Sequence, residues 1–230
     1  MRSRPAARRR RSTAAPHLET LLWRVGIRHV AGVDEVGMGP LAGPVVAAAV
    51  VLPPGTDIDG VADSKTLTAR DRVALDAVIR ARALSIGLSV VESDEIDRMN
   101  IYQAGLLACR RAVQALAPAP GYVLVDGREI PGLSMPQSAY PKGDGFVCSI
   151  AAASIVAKVY RDGLMCTLDA SFPAYGFARH MGYSTAAHLR ALRDHGPSPV
   201  HRRSFAPVRA ALGLPVEPEL PFAAAAADPL

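Results

Sequence analysis

Cysteine is scarce in this sequence, which has only three thiols among 230 residues. They are Cys109, Cys148 and Cys166, an odd number scattered along the chain. A disulfide-stabilised fold needs an even set at regular spacings, and a structural zinc site needs closely spaced cysteine or histidine pairs. Neither pattern is present, so we expect reduced thiols and a cytoplasmic protein.

Long hydrophobic runs are also missing. The longest extends from Val45 to Leu52 and is stopped by Pro53 and Pro54. A membrane-spanning helix needs roughly 20 apolar residues, so we interpret this run as a buried strand. The basic start of the chain is not followed by the apolar segment of a signal peptide, because proline and charged residues interrupt residues 12–30. These absences predict a protein without membrane association.

Acidic residues are absent from the first 11 positions, where six arginines lie. Outside these arginines the chain has 20 basic and 21 acidic residues, so the net charge of +5 comes from the N-terminal arm. Such an arm either attracts nucleic acid without sequence preference or is a solvated extension with no role. The composition leaves both alternatives open.

Apolar segments separated by turn residues predict an α/β domain, with a mixed sheet flanked by helices and a C-terminal helical extension. We assign residues 1–27 to a basic, disordered arm with a short helix, 28–213 to the domain, and 214–230 to a disordered tail. The predicted strands are 29–35, 45–52, 84–91, 122–126 and a short one near Met135. The predicted helices are 18–25, about 68–82, 93–99, 100–117, 146–169, 185–196 and a last one ending at Gly213.

Asp34 and Glu35 end the first predicted strand and precede a turn that contains Gly37 and Gly39. Neighbouring residues of a regular strand point to opposite faces, so both acids can serve one site only where the strand ends. The glycines favour such an ending because they tolerate the backbone angles of a sharp turn. The alternative is a pair of surface acids, and the apolar residues directly before Asp34 argue against it.

Asp126 and Asp162 are the acidic candidates farther along the chain. Asp126 follows three apolar strand residues and precedes a glycine, and an ordinary Asp-Gly turn is an equal alternative. Asp162 lies within about 20° of Ile155 and Ala151 around a long helix, at the end of its apolar stripe. A carboxylate facing a core needs a partner or a metal, and an ion pair with Lys158 is the simple alternative.

Four carboxylates at the ends of buried elements suit a two-metal phosphodiesterase. In such a site two Mg²⁺ ions about 3.5–4 Å apart activate a water and stabilise the leaving oxygen. Magnesium prefers this hard oxygen set. The competing class is a nucleic-acid-binding module without catalysis, which would keep basic contacts but would not need convergent acids.

Other chemistries lack support in the sequence. Gly37-Met38-Gly39 begins a formal dinucleotide-binding fingerprint, but Pro40 and Pro44 oppose the helix that this fingerprint requires. No Walker lysine follows, and no motif supports cysteine–histidine catalysis. We expect the later histidines to lie at the surface or in loops, namely His180, His188, His195 and His201.

A series of short motifs follows one order along the chain between residues 31 and 205, within the predicted domain of residues 28–213. They are Ala31-Gly-Val-Asp-Glu-Val-Gly37, Gly39-Pro-Leu-Ala-Gly-Pro44, Asp63-Ser-Lys65, Asn100-Ile101, Val125-Asp-Gly127, Lys142-Gly-Asp144, Ala152-Ala-Ser-Ile-Val-Ala-Lys-Val159, Arg161-Asp162, Gly182-Tyr183 and His201-Arg-Arg-Ser-Phe205. In this order and at these spacings the chain resembles bacterial ribonuclease HII, the type 2 ribonuclease H.

The resemblance implies an RNase H-like fold and an endonuclease that hydrolyses the RNA strand of RNA–DNA hybrids. It also implies cutting 5′ to single ribonucleotides in duplex DNA, with 3′-hydroxyl and 5′-phosphate ends. Two Mg²⁺ or Mn²⁺ ions in the active complex would bind the family's four acids, which fall on Asp34, Glu35, Asp126 and Asp162. The related ribonuclease HIII carries an extra N-terminal domain, and the short segment before the first strand disfavours it.

The resemblance also implies how the substrate is recognised. Tyr183 matches the tyrosine that packs on the sugar at the RNA–DNA junction, while backbone groups of the glycine turn read the 2′-hydroxyl. The family's Gly-Arg-Gly turn is Gly37-Met38-Gly39 here, so a guanidinium that could hold a phosphate is lost. We expect weaker substrate binding or altered junction preference with the metal chemistry intact. A weakened or non-catalytic hybrid-binding module is the alternative.

Basic residues beside turns are the candidates for phosphate contacts, and for each the alternative is a solvated surface charge. These candidates are Lys65, Lys142, Arg202 and Arg203. The expected partners are RNA–DNA hybrids and ribonucleotide-containing duplex DNA, bound by a monomer. A sliding clamp would be a partner of the C-terminal tail.

Overall fold

The computed structural model describes residues 18–56, 58–61 and 67–215. Its strands are β1 (Val30–Val36), β2 (Val45–Val51), β3 (Ser85–Val91), β4 (Tyr122–Asp126) and β5 (Gln137–Tyr140). Its helices are α1 (Leu18–Arg24), α2 (Ala69–Arg82), α3 (Ser93–Met99), α4 (Ile101–Gln114), α5 (Cys148–Ser171), α6 (Phe177–His180), α7 (Ala186–His195) and α8 (Ala206–Ala211). Lys65, residues 1–17 and the tail from residue 216 lie outside the described residues. Within the described ranges, no helix combines the length and apolar character needed to cross a membrane.

The described strands form one mixed sheet in the order β3-β2-β1-β4-β5. β2 runs antiparallel to β1 and β3, whereas β4 is parallel to β1 and β5 is parallel to β4. Val33 of β1 pairs with Val125 of β4. The next residues, Asp34 and Asp126, therefore lie side by side at the carboxyl ends of two parallel strands. The predicted mixed sheet is confirmed.

Helices cover both faces of this sheet, which is why β2 is buried along its whole length. α5 packs on one face through Ala152, Ile155 and Val156. α4 packs on the other face through Ala104 and Ala108. The abundance of alanine keeps both helices close to the strands.

Two glycines make these close approaches sterically feasible. A Cβ at Gly32 of β1 would overlap the backbone of Ser149 at the start of α5. A Cβ at Gly87 of β3 would overlap the carbonyl of Ala112 in α4. The first contact matters for the site, because it carries the N-terminal half of α5 across β1.

Side chains cap the starts of α2, α4 and α7, and at α7 Thr185 accepts a hydrogen bond from the amide of His188. Thr68 accepts a hydrogen bond from the amide of Asp71 and begins α2, and Asn100 accepts one from the amide of Gln103 and begins α4. For α3 the cap residue is Glu92, whose side chain makes no capping hydrogen bond.

Several element boundaries differ from the prediction by two or three residues, and two of them flank the loop between β4 and α5. α5 begins at Cys148 instead of residue 146, because Gly143–Gly145 forms a separate 3₁₀ turn. The short strand expected near Met135 begins at Gln137. Both differences arise in the loop between β4 and α5, where glycine and proline mask the periodicity.

The C-terminal helices extend the domain beyond the sheet. Phe177 and Tyr175 stack with ring centroids 5.3 Å apart and pack against Met165 of α5. Leu192 of α7 and Val208 of α8 meet Leu41, which follows the glycine turn. This extension therefore packs against the segment that directly follows the glycine turn.

The prediction that the histidines lie at the surface or in loops is wrong for His188 and His201, which are no more than 1% exposed. His188 lies one turn before Leu192 on α7, and residues four apart share a helix face. The face that buries Leu192 therefore also buries His188. His195 is exposed, as predicted.

Candidate active site

Three predicted acids lie together at the edge of the sheet. Asp34 and Glu35 belong to the end of β1, and Asp126 is the last residue of β4. Burial raises the pKa of Asp34 well above its usual value, and repulsion from Glu35 and Asp126 adds to this. Burial also raises the pKa of Glu35, and Asp126 contributes again. The three carboxyls therefore interact electrostatically in a poorly hydrated environment.

Each of these acids is fixed by a neighbouring group. Asp34 accepts a 2.8 Å hydrogen bond from the amide of Glu35 and another from the hydroxyl of Ser154. Glu35 accepts a 3.5 Å hydrogen bond from the thiol of Cys109 on α4. These contacts hold the carboxyls of β1 between the two helical layers.

Asp126 is fixed by the loop that follows β5. Its Oδ1 atom accepts a 2.6 Å hydrogen bond from the amide of Gly143. A Cβ at Gly143 would lie 2.7 Å from Cδ1 of Ile150 and 3.2 Å from Cβ of Tyr140, so the loop can approach only with glycine there. Lys142, directly before it, is exposed and has a left-handed backbone with φ of 61°. The Lys142-Gly143 segment thus brings a cation to the rim of the acidic cluster.

Asp162 lies farther along α5 and is paired with Lys158. Nζ of Lys158 donates to Oδ1 of Asp162 at 2.6 Å, and both side chains are partly exposed. The simple ion pair considered from the sequence is therefore present. Ser154, Lys158 and Asp162 are spaced four residues apart, so they follow one side of the helix, with Asp162 about 12 Å beyond Ser154.

The described residues contain no group of three or more histidine, cysteine, aspartate or glutamate side chains arranged to hold a metal ion. The chemistry of the acids nevertheless fits a hard cation. The pKa values of Asp34 and Glu35 are raised, and the charge of Asp126 contributes to both shifts. A divalent ion bound to these carboxylates would relieve their mutual repulsion. Asp162 would have to exchange its lysine for the ion.

The glycine turn, Gly37-Met38-Gly39, directly follows β1 and packs against the buried side chain of Arg161. Gly37 has a left-handed backbone with φ of 95°, and a Cβ there would overlap the guanidinium of Arg161. The Met38 side chain lies against α4, where a Cβ at Gly105 would be 2.9 Å from its Sδ atom. Gly39 is exposed, and a Cβ there would lie 3.6 Å from Cε1 of Tyr183. The tyrosine ring, 44% exposed, therefore borders the turn.

The two predicted phosphate-contacting arginines have different environments. Arg202 is fully buried and donates to the carbonyls of Gly37, Met38 and Gly43. The prediction of a surface phosphate contact is wrong for Arg202, because its donors face the protein's own backbone. Arg203 is exposed, and its amide donates to Asp97 at 2.8 Å.

Two open cavities flank Glu35 and extend the site. One, of about 360 Å³, is lined by Arg72, Asp144, Ser154, Lys158 and Tyr183. The other, of about 220 Å³, is lined by Met38, Tyr102, Asp126 and Arg128, with the Arg128 guanidinium 5.2 Å from the centroid of the Tyr102 ring.

Several residues of this site were not predicted as site residues, among them Ser154, Arg72, Tyr102 and Arg128. The helical spacing of Ser154 from Asp162 is a signal that was available for Ser154. Arg72, Tyr102 and Arg128 have no such signal, because their positions depend on how α2, α4 and the loop after β4 pack.

A mixed sheet with helices on both faces, and carboxylates at the ends of its central parallel strands, defines an RNase H-like hydrolase of phosphodiester bonds. A protein-family model described as Ribonuclease HII matches residues 31–208. The chain belongs to the ribonuclease HII family, as the sequence motifs predicted, and it is accordingly an RNA-cleaving enzyme. Nothing in the comparisons favours a non-catalytic module.

Known proteins agree with this assignment. The chain is 54% identical over 211 residues to ribonuclease HII of Anaeromyxobacter sp. (strain Fw109-5), covering 90% of this chain and 67% of the relative. Among solved structures, ribonuclease H2 from Pyrococcus horikoshii OT3 has a TM-score of 0.69 at 26% identity, covering 79% of this chain and 96% of the other. The RNase HII of Archaeoglobus fulgidus, solved in complex with PCNA, has a TM-score of 0.64 at 25% identity, covering 75% and 91%. The predicted RNase H-like fold is confirmed.

Proposed function

We propose that this protein is a metal-dependent endonuclease that hydrolyses the RNA strand of RNA–DNA hybrids and cuts 5′ to single ribonucleotides in duplex DNA. The products carry 3′-hydroxyl and 5′-phosphate ends. The observation that carries the proposal is the electrostatic cluster of Asp34, Glu35 and Asp126 at the carboxyl ends of β1 and β4. Family membership supports the reaction class.

The proposed metal ligands are Asp34, Glu35, Asp126 and Asp162, with Mg²⁺ or Mn²⁺ and two ions in the active complex. When bound, such ions supply an activated water and stabilise the leaving oxygen. The chain's own groups fix the ligands. Ser154 and the Glu35 amide hold Asp34, and the Gly143 amide holds Asp126. These bonds keep the carboxylate oxygens aimed at one edge of the sheet.

The substrate is proposed to lie across the two cavities beside Glu35. Amides of the Gly37-Met38-Gly39 turn would read the 2′-hydroxyl, and the exposed face of Tyr183 would pack on the neighbouring sugar. The distance between Gly39 and the Tyr183 ring supports this arrangement, because both can touch one nucleotide. Met38 supplies no charge, so phosphate binding relies on other cations.

Several basic groups are proposed to bind the backbone phosphates. Lys142 and Arg203 are exposed, and Arg72 lines the larger cavity. Lys65 and the arginine-rich arm are further candidates from the sequence. The arm would contribute salt-dependent attraction that does not depend on the ribonucleotide.

The wider setting is also a proposal. Residues 28–213 would form the catalytic domain of a cytoplasmic monomer, with the flanking segments as an arm and a tail. The archaeal RNase HII solved with PCNA supports testing the tail of this chain as a clamp-binding segment.

The test is cleavage of duplex DNA that carries one ribonucleotide, with Mg²⁺ or Mn²⁺, beside an Asp126→Asn control. Cutting on the 5′ side of the ribonucleotide by the native protein alone is the expected result. A duplex without the ribonucleotide should remain intact. Binding without cutting under either metal would instead support the hybrid-binding module and direct attention to Met38.

A further inference from the structure

Arg202 is a buried cation with an unusual set of partners. Its side chain is fully buried, and within the described residues it forms no salt bridge. Burial, together with repulsion from Arg161, lowers the pKa of Arg202 to about 9. A buried guanidinium without a carboxylate is costly, so its hydrogen bonds have to be good ones.

Those hydrogen bonds go to the glycine turn and its return strand. Nη2 of Arg202 donates to the carbonyl of Gly37 at 2.6 Å, and Nη1 donates to that of Met38 at 3.2 Å. Nε and Nη2 donate to the carbonyl of Gly43 at 3.0 and 2.9 Å. One planar fork thus holds two consecutive carbonyls of the turn and fastens them to the chain that leads into β2.

This arrangement decides where the amides of the turn point. The peptide bonds after Gly37 and Met38 are trans, and in a trans peptide the carbonyl and the N–H point in opposite directions. Because both carbonyls face Arg202, the N–H groups of Met38 and Gly39 face away from it. Within the described residues neither amide donates a hydrogen bond to the protein. Gly39 is exposed beside Tyr183, so these donors are presented at the site.

We propose that Arg202 is a positioning residue for ribonucleotide recognition: it locks two peptide planes so that the Met38 and Gly39 amides meet the 2′-hydroxyl. This rests on the proposed function, in which the turn reads the sugar. In this proposal Arg202 holds the carbonyls of Gly37 and Met38, so the orientation of the amides does not require a charged side chain at position 38.

Arg161 provides a matched control within the same chain. It is also fully buried and also donates to three carbonyls, at 2.9 Å to Pro44, 3.0 Å to Met181 and 3.3 Å to Ala42. None of these carbonyls belongs to residues 37–39. A lysine at either position keeps a charge but offers a single compact donor group that cannot span three carbonyls. Each substitution therefore leaves buried carbonyls without a donor, but only the one at Arg202 releases carbonyls of residues 37–39.

The experiment measures binding in an Asp126→Asn background, so that no cutting occurs. Each protein is titrated with a duplex that carries one ribonucleotide and with the same duplex carrying deoxyribose at that position. The ratio of the two dissociation constants reports recognition of the 2′-hydroxyl. Arg202→Lys is expected to reduce this ratio by about tenfold, which corresponds to loss of the hydrogen bonds between the 2′-hydroxyl and the turn amides. The affinity for the deoxy duplex is expected to change less than twofold. Arg161→Lys removes packing under Gly37 but no hydrogen bond to a carbonyl of residues 37–39, so it is expected to reduce the ratio clearly less than Arg202→Lys does.

Two results would overturn the inference. One is an unchanged ratio in Arg202→Lys; the other is an equal loss of affinity for both duplexes, which would mean that the amides hold a phosphate or that Arg202 is purely structural. Where Arg202→Lys does not fold, Arg202→Gln removes the buried charge and still cannot reach all three carbonyls, so the same ratio is measured with it. Failure of the proposed function gives a different pattern, because the native turn would then show no preference for the ribonucleotide at all.

Discussion

The Nε2 atoms of His188 and His201 lie 3.0 Å apart in the protein interior, and the surrounding bonds allow one arrangement of protons. The Ser198 amide donates to Nδ1 of His201, so that nitrogen is an acceptor and the His201 Nε2–H is the donor to His188. His188 Nε2 therefore accepts, and its Nδ1–H donates to the carbonyl of Tyr183 at 2.9 Å. Two neutral rings thus connect the C-terminal loop to the residue that borders the glycine turn.

The free energy of unfolding should fall in mild acid, because His201 becomes protonated more readily in the unfolded chain than in the folded protein. Burial and the neighbouring His188 lower the pKa of His201 to about 4, with His180 adding to the effect, against an ordinary value near 6.5 in the unfolded chain. The unfolded state then binds more protons between these values, so this part of the stability is present above about pH 6.5 and lost as the pH falls toward 4. Its size is about 3 kcal/mol.

Urea unfolding at a series of pH values measures this effect. Carboxyl groups also titrate in acid, so the informative quantity is the difference between the native protein and His201→Asn, whose carbonyl can still accept from Ser198. The variant is expected to be less stable at pH 7 and to have a flatter dependence between pH 6.5 and 4. Parallel curves for the two proteins would contradict the neutral pair.

Removing the charge of Asp34 should stabilise the metal-free protein. Asp34 is 7% exposed and faces the charges of Glu35 and Asp126. A carboxyl whose pKa is raised on folding costs stability above its ordinary pKa near 4. Asp34→Asn keeps an oxygen for Ser154 and the Glu35 amide but removes the repulsion. The expected rise of about 1 kcal/mol corresponds to roughly 2–4 °C in Tm.

The same variant should lose the response to metal. Thermal unfolding is measured for both proteins with and without Mg²⁺, since an ion that binds only the folded state raises its stability. The native protein is expected to gain and Asp34→Asn to gain little. A lower Tm for the metal-free variant would show that its hydrogen bonds, and not its charge, dominate at this position.

Replacing Met38 by arginine should tighten substrate binding. The Met38 thioether packs toward Gly105 of α4, and an arginine there would have to turn its guanidinium into the cavity beside Glu35. A bidentate phosphate contact is worth about 1.5–3 kcal/mol where it is well formed, so an affinity gain of about tenfold is expected for a one-ribonucleotide duplex. Met38→Leu, which adds no charge, is the control. An unchanged dissociation constant for Met38→Arg would reject this account of position 38.

The sequence predicts the acids at the strand ends of this site, but it does not predict the buried polar residues that support it. Asp34 and Asp126 could be placed at one edge because each directly follows an apolar strand, and strand ends in such sheets collect ligands. The roles of Arg202 and His188 could not be predicted. A run of His-Arg-Arg-Ser resembles a charged surface, and only packing against a turn some 160 positions earlier buries its first two residues, His201 and Arg202. The local sequence pattern predicts where strands end, whereas the burial of a polar residue depends on partners that are distant in the sequence.

Lys158 should compete with metal for Asp162. The two side chains are bonded at 2.6 Å while 28% and 24% exposed, a setting in which an ion pair contributes little to stability. Lys158→Gln is therefore expected to cost at most about 1 kcal/mol, yet it frees a carboxylate proposed as a metal ligand. The Mg²⁺ concentration for half-maximal cleavage should then fall by a few-fold.

Lys142→Gln is the control, because Lys142 lies at the rim of the acidic cluster without this pairing. This variant should raise KM for the duplex while leaving the Mg²⁺ concentration for half-maximal cleavage unchanged. If Lys158→Gln instead needs more Mg²⁺, the lysine assists the metal-bound state, for example by holding a substrate phosphate in the cavity that it lines, and competition for Asp162 is the wrong description.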